Sequence, residues 1–179
     1  MSIQNPMHFI NPENRNKVLI ILLILIIFIF SIFRFLDSPL RTKAAPSGIV
    51  SYELAGSAEK TMQILTSWDS RARLFAAFGL GFDFLFLVVY ATAISLACLM
   101  SSAKHTGWFL SLGTWLGWGS ILAAGMDSIE NIALWNLLIG KTASYLPQVA
   151  AWCATIKFLF IFLGILYGLV GWILPKKSA

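Results

Sequence analysis

Charge is what this sequence has least of. Only 12% of its 179 residues are charged, about half the share carried by a soluble domain of ordinary composition. Cysteine is scarce too. Cys98 and Cys153 are the two present and form no CxxC pair, which excludes a disulfide scaffold and argues against thiol redox chemistry. The two histidines, His8 and His105, fall in the polar N-terminal stretch and in a short polar turn. A bis-histidine haem inside the apolar runs is therefore excluded. The chain lacks HExxH, a P-loop, GxSxG and a dinucleotide fingerprint, so no motif marks it as an enzyme or assigns a cofactor. Its ligand set argues against zinc, and no metal site is assigned; a hard cation on the carboxylates stays open but has no recognised spacing.

What is present is apolar. Hydrophobic residues make up 58% of the chain and the mean hydropathy is +0.79. These values exclude a soluble module and indicate a single integral membrane domain over the whole length. The 13 basic residues outnumber the 8 acidic ones, which in a soluble protein would suggest nucleic acid. Here the basic residues flank apolar runs, as membrane anchoring requires, and no nucleic-acid partner is expected.

Residues 1–17 read as a polar tail. Four apolar stretches follow, at about 18–36, 73–100, 108–139 and 147–174, each long enough at roughly 1.5 Å per residue to cross the hydrocarbon core. A signal peptide is the rival reading of the first stretch. Its apolar run exceeds the usual ~7–15 residues, and Pro46 spoils the cleavage site, so an uncleaved span is preferred. Asp69 and Ser70 suit the cap of the second span, and Pro147 suits the first turn of the fourth. Between the first two spans, Val50, Leu54, Ala58, Met62, Leu65 and Trp68 recur every three or four positions. That stripe predicts an amphipathic helix over 48–68, lying at the membrane surface or capping the bundle. The expected fold is all-α: a four-helix transmembrane bundle with this interfacial helix between the first and second spans.

Tryptophans agree with the layout. Trp108 and Trp172 fall at one expected interface, and Trp68, Trp135 and Trp152 at the other, as an aromatic belt would. Cys98 and Cys153 then lie near opposite faces, too far apart to pair. Counting basic residues alone leaves orientation nearly tied. Arg15 and Lys17 directly precede the first span, so both termini are expected in the cytoplasm.

Four charges interrupt the spans: Asp83 in GLGFDFLFLVVY, Asp127 and Glu130 in AAGMDSIENIALW, and Lys157 in ATIKFLFIFLG. A charge at the bilayer centre costs about 3 kcal/mol on insertion scales, so such residues face a partner or a cavity. Counted from the non-cytoplasmic helix ends, Asp83 is roughly 15 Å deep, Asp127 roughly 18 Å, Glu130 and Asn131 roughly 12–14 Å, and Lys157 roughly 12 Å, all in the outer half of the membrane. All belong to one expected polar layer. Asp127, Glu130 and Asn131 stand at i, i+3, i+4 and share a helix face. Tyr90 follows Asp83 by two turns. One lysine cannot neutralise three carboxylates, so a proton, a cation or a ligand must account for the remainder. An interhelical lock, with Lys157 against Glu130 or Asp127, is the alternative. Trp115 and Trp118, deeper than a belt, are candidates to line an apolar pocket. The GxxxG pairs Gly113/Gly117 and Gly164/Gly168 serve either packing within the bundle or self-association.

The stretches PSGIVSYELAGS, LGFDFLFLVVYA and GMDSIENIALW are similar to a loosely defined group of uncharacterised bacterial four-helix integral membrane proteins, over Pro46 to Trp135. The resemblance implies a bacterial inner-membrane setting and carries over no activity. The architecture also resembles sterol isomerases and the sigma-2 receptor family, which place acids in a small bundle. The isomerases' intramembrane histidine is missing here, which puts that chemistry in doubt. The leading expectation is a membrane protein that binds a hydrophobic ligand, a lipid or isoprenoid-like molecule. Asp83, Asp127 and Glu130, with Lys157, would lie at the polar group, Asn131 and Tyr90 would orient it, and Trp115 and Trp118 would meet the apolar part. The alternatives are a structural or assembly subunit of a larger complex, and a proton or cation relay.

Overall fold

A computed structural model describes residues 3–174. Among these the structure is helical throughout, with no strand, and four helices are long and apolar enough to cross a membrane. They are α1 (Arg15–Asp37), α4 (Ser70–Ser102), α5 (Trp108–Leu138) and α6 (Leu146–Ile173). Two short helices, α2 (Ile49–Glu53) and α3 (Ala58–Ser67), lie between the first and second spans. The protein is an integral membrane protein. Its surface says so independently of helix length. On α1, Ile24, Ile27 and Phe28 are each more than 60% exposed, a stripe that water would not tolerate and lipid solvates.

Helix ends follow local chemistry. Asp69 caps α4, its Oδ1 accepting from Ala72 N at 2.7 Å, and Pro147 sits in the first turn of α6, where no backbone donor is needed. Ser57 caps α3 by accepting from Lys60 N. At the end of α1, the Asp37 carboxylate accepts from Ile49 N at 2.8 Å and from Arg41 Nε at 2.9 Å. Gly48, at φ +58°, closes this turn; a Cβ there would fall on the Asp37 carboxylate.

The single amphipathic helix expected over 48–68 is two helices. The break falls at Leu54–Ser57, where Gly56 adopts φ +69°. A break resets helical phase, so a stripe counted across it does not form one face. Val50, Leu54 and Met62 are exposed, whereas Tyr52, Thr61, Ile64, Leu65 and Trp68 are buried. Trp68 is also not a belt residue. It is 3% exposed and donates Nε1 to Leu40 O at 2.8 Å. The other expected belt residues, Trp108, Trp135, Trp152 and Trp172, are exposed.

The chain divides into two compact units, and each long helix contributes a part to both. One comprises Ile27–Leu87 and Gly125–Ile156. Its core gathers Leu40, Tyr52, Ile64, Leu65 and Trp68 with Ala72, Ala76 and Leu80 of α4, Leu134 and Leu137 of α5, and Ala150 of α6. The Tyr52 and Trp68 rings meet edge to face at 5.1 Å, and the Tyr52 hydroxyl donates to Leu134 O at 3.1 Å. The inter-span segment thus packs onto α5 through apolar burial and one directed bond, Tyr52 Oη to Leu134 O.

The other unit comprises the described residues up to Ile26, Val88–Ala124, and those from Lys157 on. Small residues hold it together. A Cβ on Gly113 would strike Ser102 Cβ at 2.7 Å, one on Gly171 would strike Ser101 Cβ at 2.7 Å, and Gly164 abuts Ile94. The glycine faces are occupied by the chain's own side chains, the packing alternative of the two read from GxxxG. Ser120 Oγ donates to Ala91 O at 3.1 Å, Ser101 Oγ to Gly168 O at 3.0 Å, and Tyr167 Oη to Phe109 O at 2.8 Å. Described residues of the N-terminal stretch pack within this unit. Asn5 is 3% exposed, its Nδ2 donating to Ser95 O and its Oδ1 accepting from Ser95 Oγ, both at 3.3 Å. Gln4 O accepts from Trp118 Nε1 at 2.9 Å, and α1 begins at Arg15, earlier than the apolar run suggests.

Candidate functional site

The eight candidate residues divide evenly. Asp83, Asp127, Glu130 and Asn131 belong to the unit that holds the inter-span helices; Tyr90, Trp115, Trp118 and Lys157 belong to the other. The first group has the features of a site. On α5 the spacing i, i+3, i+4 predicts one shared face, and all three residues of that face are withdrawn from the surface. Asp127 is 2% exposed, Glu130 0% and Asn131 2%. Ile129 and Ile132, on the other side of the same turns, are exposed. Helical periodicity therefore puts carboxylates inward and branched aliphatics outward, the inverse of a helix in water. Asp83 of α4 is half-buried, and its Oδ2 accepts from Asn131 Nδ2 at 2.7 Å. That bond ties the second acidic helix to the first.

In the other unit, Tyr90 is buried at 4% and Lys157 at 5%. The Lys157 ammonium lies 5.0 Å from the centroid of the Phe158 ring, a distance at which the ring face attracts a cation. Trp115 and Trp118 are 60% and 45% exposed. They present their rings to the outside of the chain, and Trp118 is committed through its indole N–H to Gln4.

Sequence reasoning missed a second polar layer outside the spans. Glu53 and Thr61, like Tyr52, are buried in the segment read only as an amphipathic stripe. Burial pushes the Tyr52 phenol well above its ordinary range, opposed by the nearby Arg73 charge. Neutral Tyr52 is what its hydrogen bond to Leu134 O requires. In IVSYELAG the aromatic ring and the acid are adjacent, and both are buried in α2.

Among the described residues, no group of three or more His, Cys, Asp or Glu side chains is placed to hold a metal ion. The acids of α4 and α5 can accept hydrogen bonds, meet an ammonium or exchange protons. No family model, curated protein or solved structure compared with the chain matches it. The site must be read from its own chemistry.

Proposed function

We propose that this integral membrane protein binds a hydrophobic ligand, lipid or isoprenoid-like, at the acids of α4 and α5. The ligand carries a cationic or hydroxyl group. The observation that supports this reading most directly is the burial of two carboxylates one turn apart, Asp127 and Glu130, on a helix otherwise apolar enough to span a bilayer. Acids at membrane depth oppose insertion by about 3 kcal/mol each. Packing alone would be served better by leucine. A ligand ammonium or hydroxyl recovers part of that cost, and Asn131, held at 2.7 Å from Asp83, supplies an oriented amide beside it. A setting in a bacterial inner membrane with both termini cytoplasmic belongs to the same proposal.

The test is native mass spectrometry of protein purified in mild detergent, followed by extraction. A small hydrophobic molecule bearing an amine or hydroxyl is expected on the wild type and depleted at least fivefold on Glu130→Gln and Asp127→Asn. Ligand retained equally by both variants overturns the reading. The pair Asp127 and Glu130 also suits a proton or cation relay, and a proteoliposome flux abolished by the same two substitutions, with no ligand present, would favour that alternative. A structural subunit would instead co-purify with a stoichiometric partner.

A further inference from the structure

A groove of about 350 Å³ opens where the start of α4 meets the end of α5. Ser70, Arg73, Leu74 and Ala77 form one wall; Trp135, Leu138 and Ile139 form the other. Arg73 and Ser70 lie in the first turn of α4, and Leu138 is the last residue of α5. Both helices are membrane spans, so the groove sits at the level where hydrocarbon gives way to headgroups. Its walls are apolar except at the mouth. There Arg73, exposed, donates Nη2 to Leu65 O at 2.7 Å. One bond fixes an edge of the guanidinium and leaves the remaining donors of its fork for an anion. The neighbouring acid, Asp69, already accepts from Ala72 N. Arg71, whose guanidinium lies 5.5 Å from the Phe75 ring, and exposed Lys141 in the turn after α5 add positive charge at the same end.

We propose that this groove seats an acyl chain of an anionic phospholipid, with the lipid phosphate held by Arg73. The chemistry of each part agrees. Leu74, Ala77, Leu138 and Ile139 offer a lipid-facing trough to a hydrocarbon chain, Trp135 stands at interfacial depth, and a planar guanidinium matches a phosphodiester in two-point geometry. This site is separate from the acids of α4 and α5 and does not rest on what binds there.

The experiment uses the full chain in detergent, titrated with phosphatidylglycerol or phosphatidylcholine and read by native mass spectrometry. Phosphatidylglycerol is expected to bind wild type at least tenfold more tightly than phosphatidylcholine. Arg73→Gln is expected to erase that preference. Ala77→Trp, which fills the trough without touching the charge, is expected to lower affinity for both lipids, with the melting temperature of each variant recorded to show that it is folded. Arg71→Gln is expected to retain at least half the wild-type affinity. The proposal is overturned if Arg73→Gln keeps the preference, if Arg71→Gln abolishes binding as fully as Arg73→Gln, or if inorganic phosphate binds as tightly as the lipid.

Discussion

Removing the Asn131–Asp83 bond should cost a measurable and specific amount of stability. The donor distance is 2.7 Å, at the short end of the range for N–H···O bonds. Asn131 is 2% exposed, so no bulk water replaces its partner from that side, whereas Asp83 is only half-buried. Interhelical hydrogen bonds within membranes average about 0.6 kcal/mol and reach about 1.7 kcal/mol. Short geometry and one fully enclosed partner place this bond in the upper half of that range, at about 1–1.5 kcal/mol, or roughly a factor of 5–12 in the unfolding equilibrium. The measurement is a double-mutant cycle on Asp83→Ala and Asn131→Ala, with reversible unfolding followed in mixed micelles. The cycle matters because Asn131→Ala alone also removes packing, and only the coupling term isolates the pair. Asn136 supplies the control. Its amide donates to Ile132 O on its own helix, so a cycle on Asp83 and Asn136 should give no coupling. A coupling below about 0.3 kcal/mol for Asp83 and Asn131 would refute the claim that this bond ties α4 to α5.

Two further outcomes follow from particular contacts. Burial raises the Tyr52 phenol, so the folded state holds that proton more tightly than the unfolded chain. The contribution is fully present below the unfolded phenol value near pH ~10 and is lost as pH rises beyond it. Tyr52→Phe should lower stability at pH 8 by about 1 kcal/mol, the worth of the bond to Leu134 O, and flatten the fall in melting temperature on the alkaline side. A second contrast separates glycines that pack from glycines that do not. A Cβ on Gly113 meets Ser102 Cβ at 2.7 Å and the Tyr167 ring at 2.8 Å, whereas one on Gly125 meets nothing within 4 Å. Gly113→Ala should destabilise by about 1–3 kcal/mol, and Gly125→Ala should be neutral or stabilising by up to ~1 kcal/mol through helix propensity. Thermal unfolding in detergent reads both.

Much of the fold is legible in one dimension because lipid is a strict solvent. Every backbone polar group in a span must be satisfied within its own helix, so a run of about twenty apolar residues leaves little besides a helix. Four long apolar helices accordingly cover the four runs. The face shared by Asp127, Glu130 and Asn131 is equally a matter of counting, because 3.6-residue periodicity is local. The region between the first two spans was not legible in that way. A stripe of apolar residues carries phase only while the helix continues, and Gly56 interrupts it. Trp68 was misplaced for a related reason: a tryptophan near a span end suits a belt or a core equally well until its indole N–H is seen to meet Leu40 O.

The candidate site divides along the same line. Composition and spacing alone determined that this is a membrane protein, that acids interrupt its long apolar runs, and that three polar residues share one face of α5. Those conclusions need only hydropathy and helical geometry, which act within a single segment. Tertiary structure alone decided which residues meet across segments. It joined Asn131 to Asp83, turned Trp115 and Trp118 outward, drew Asn5 into the cover of α4 and α5 beside Ser95 and Gly117, and opened a groove with Arg73 at its mouth. Contacts between residues dozens of positions apart depend on which helix faces turn towards each other. That choice is made by packing volume and hydrogen-bond geometry across segments, to which the periodicity of one helix is blind.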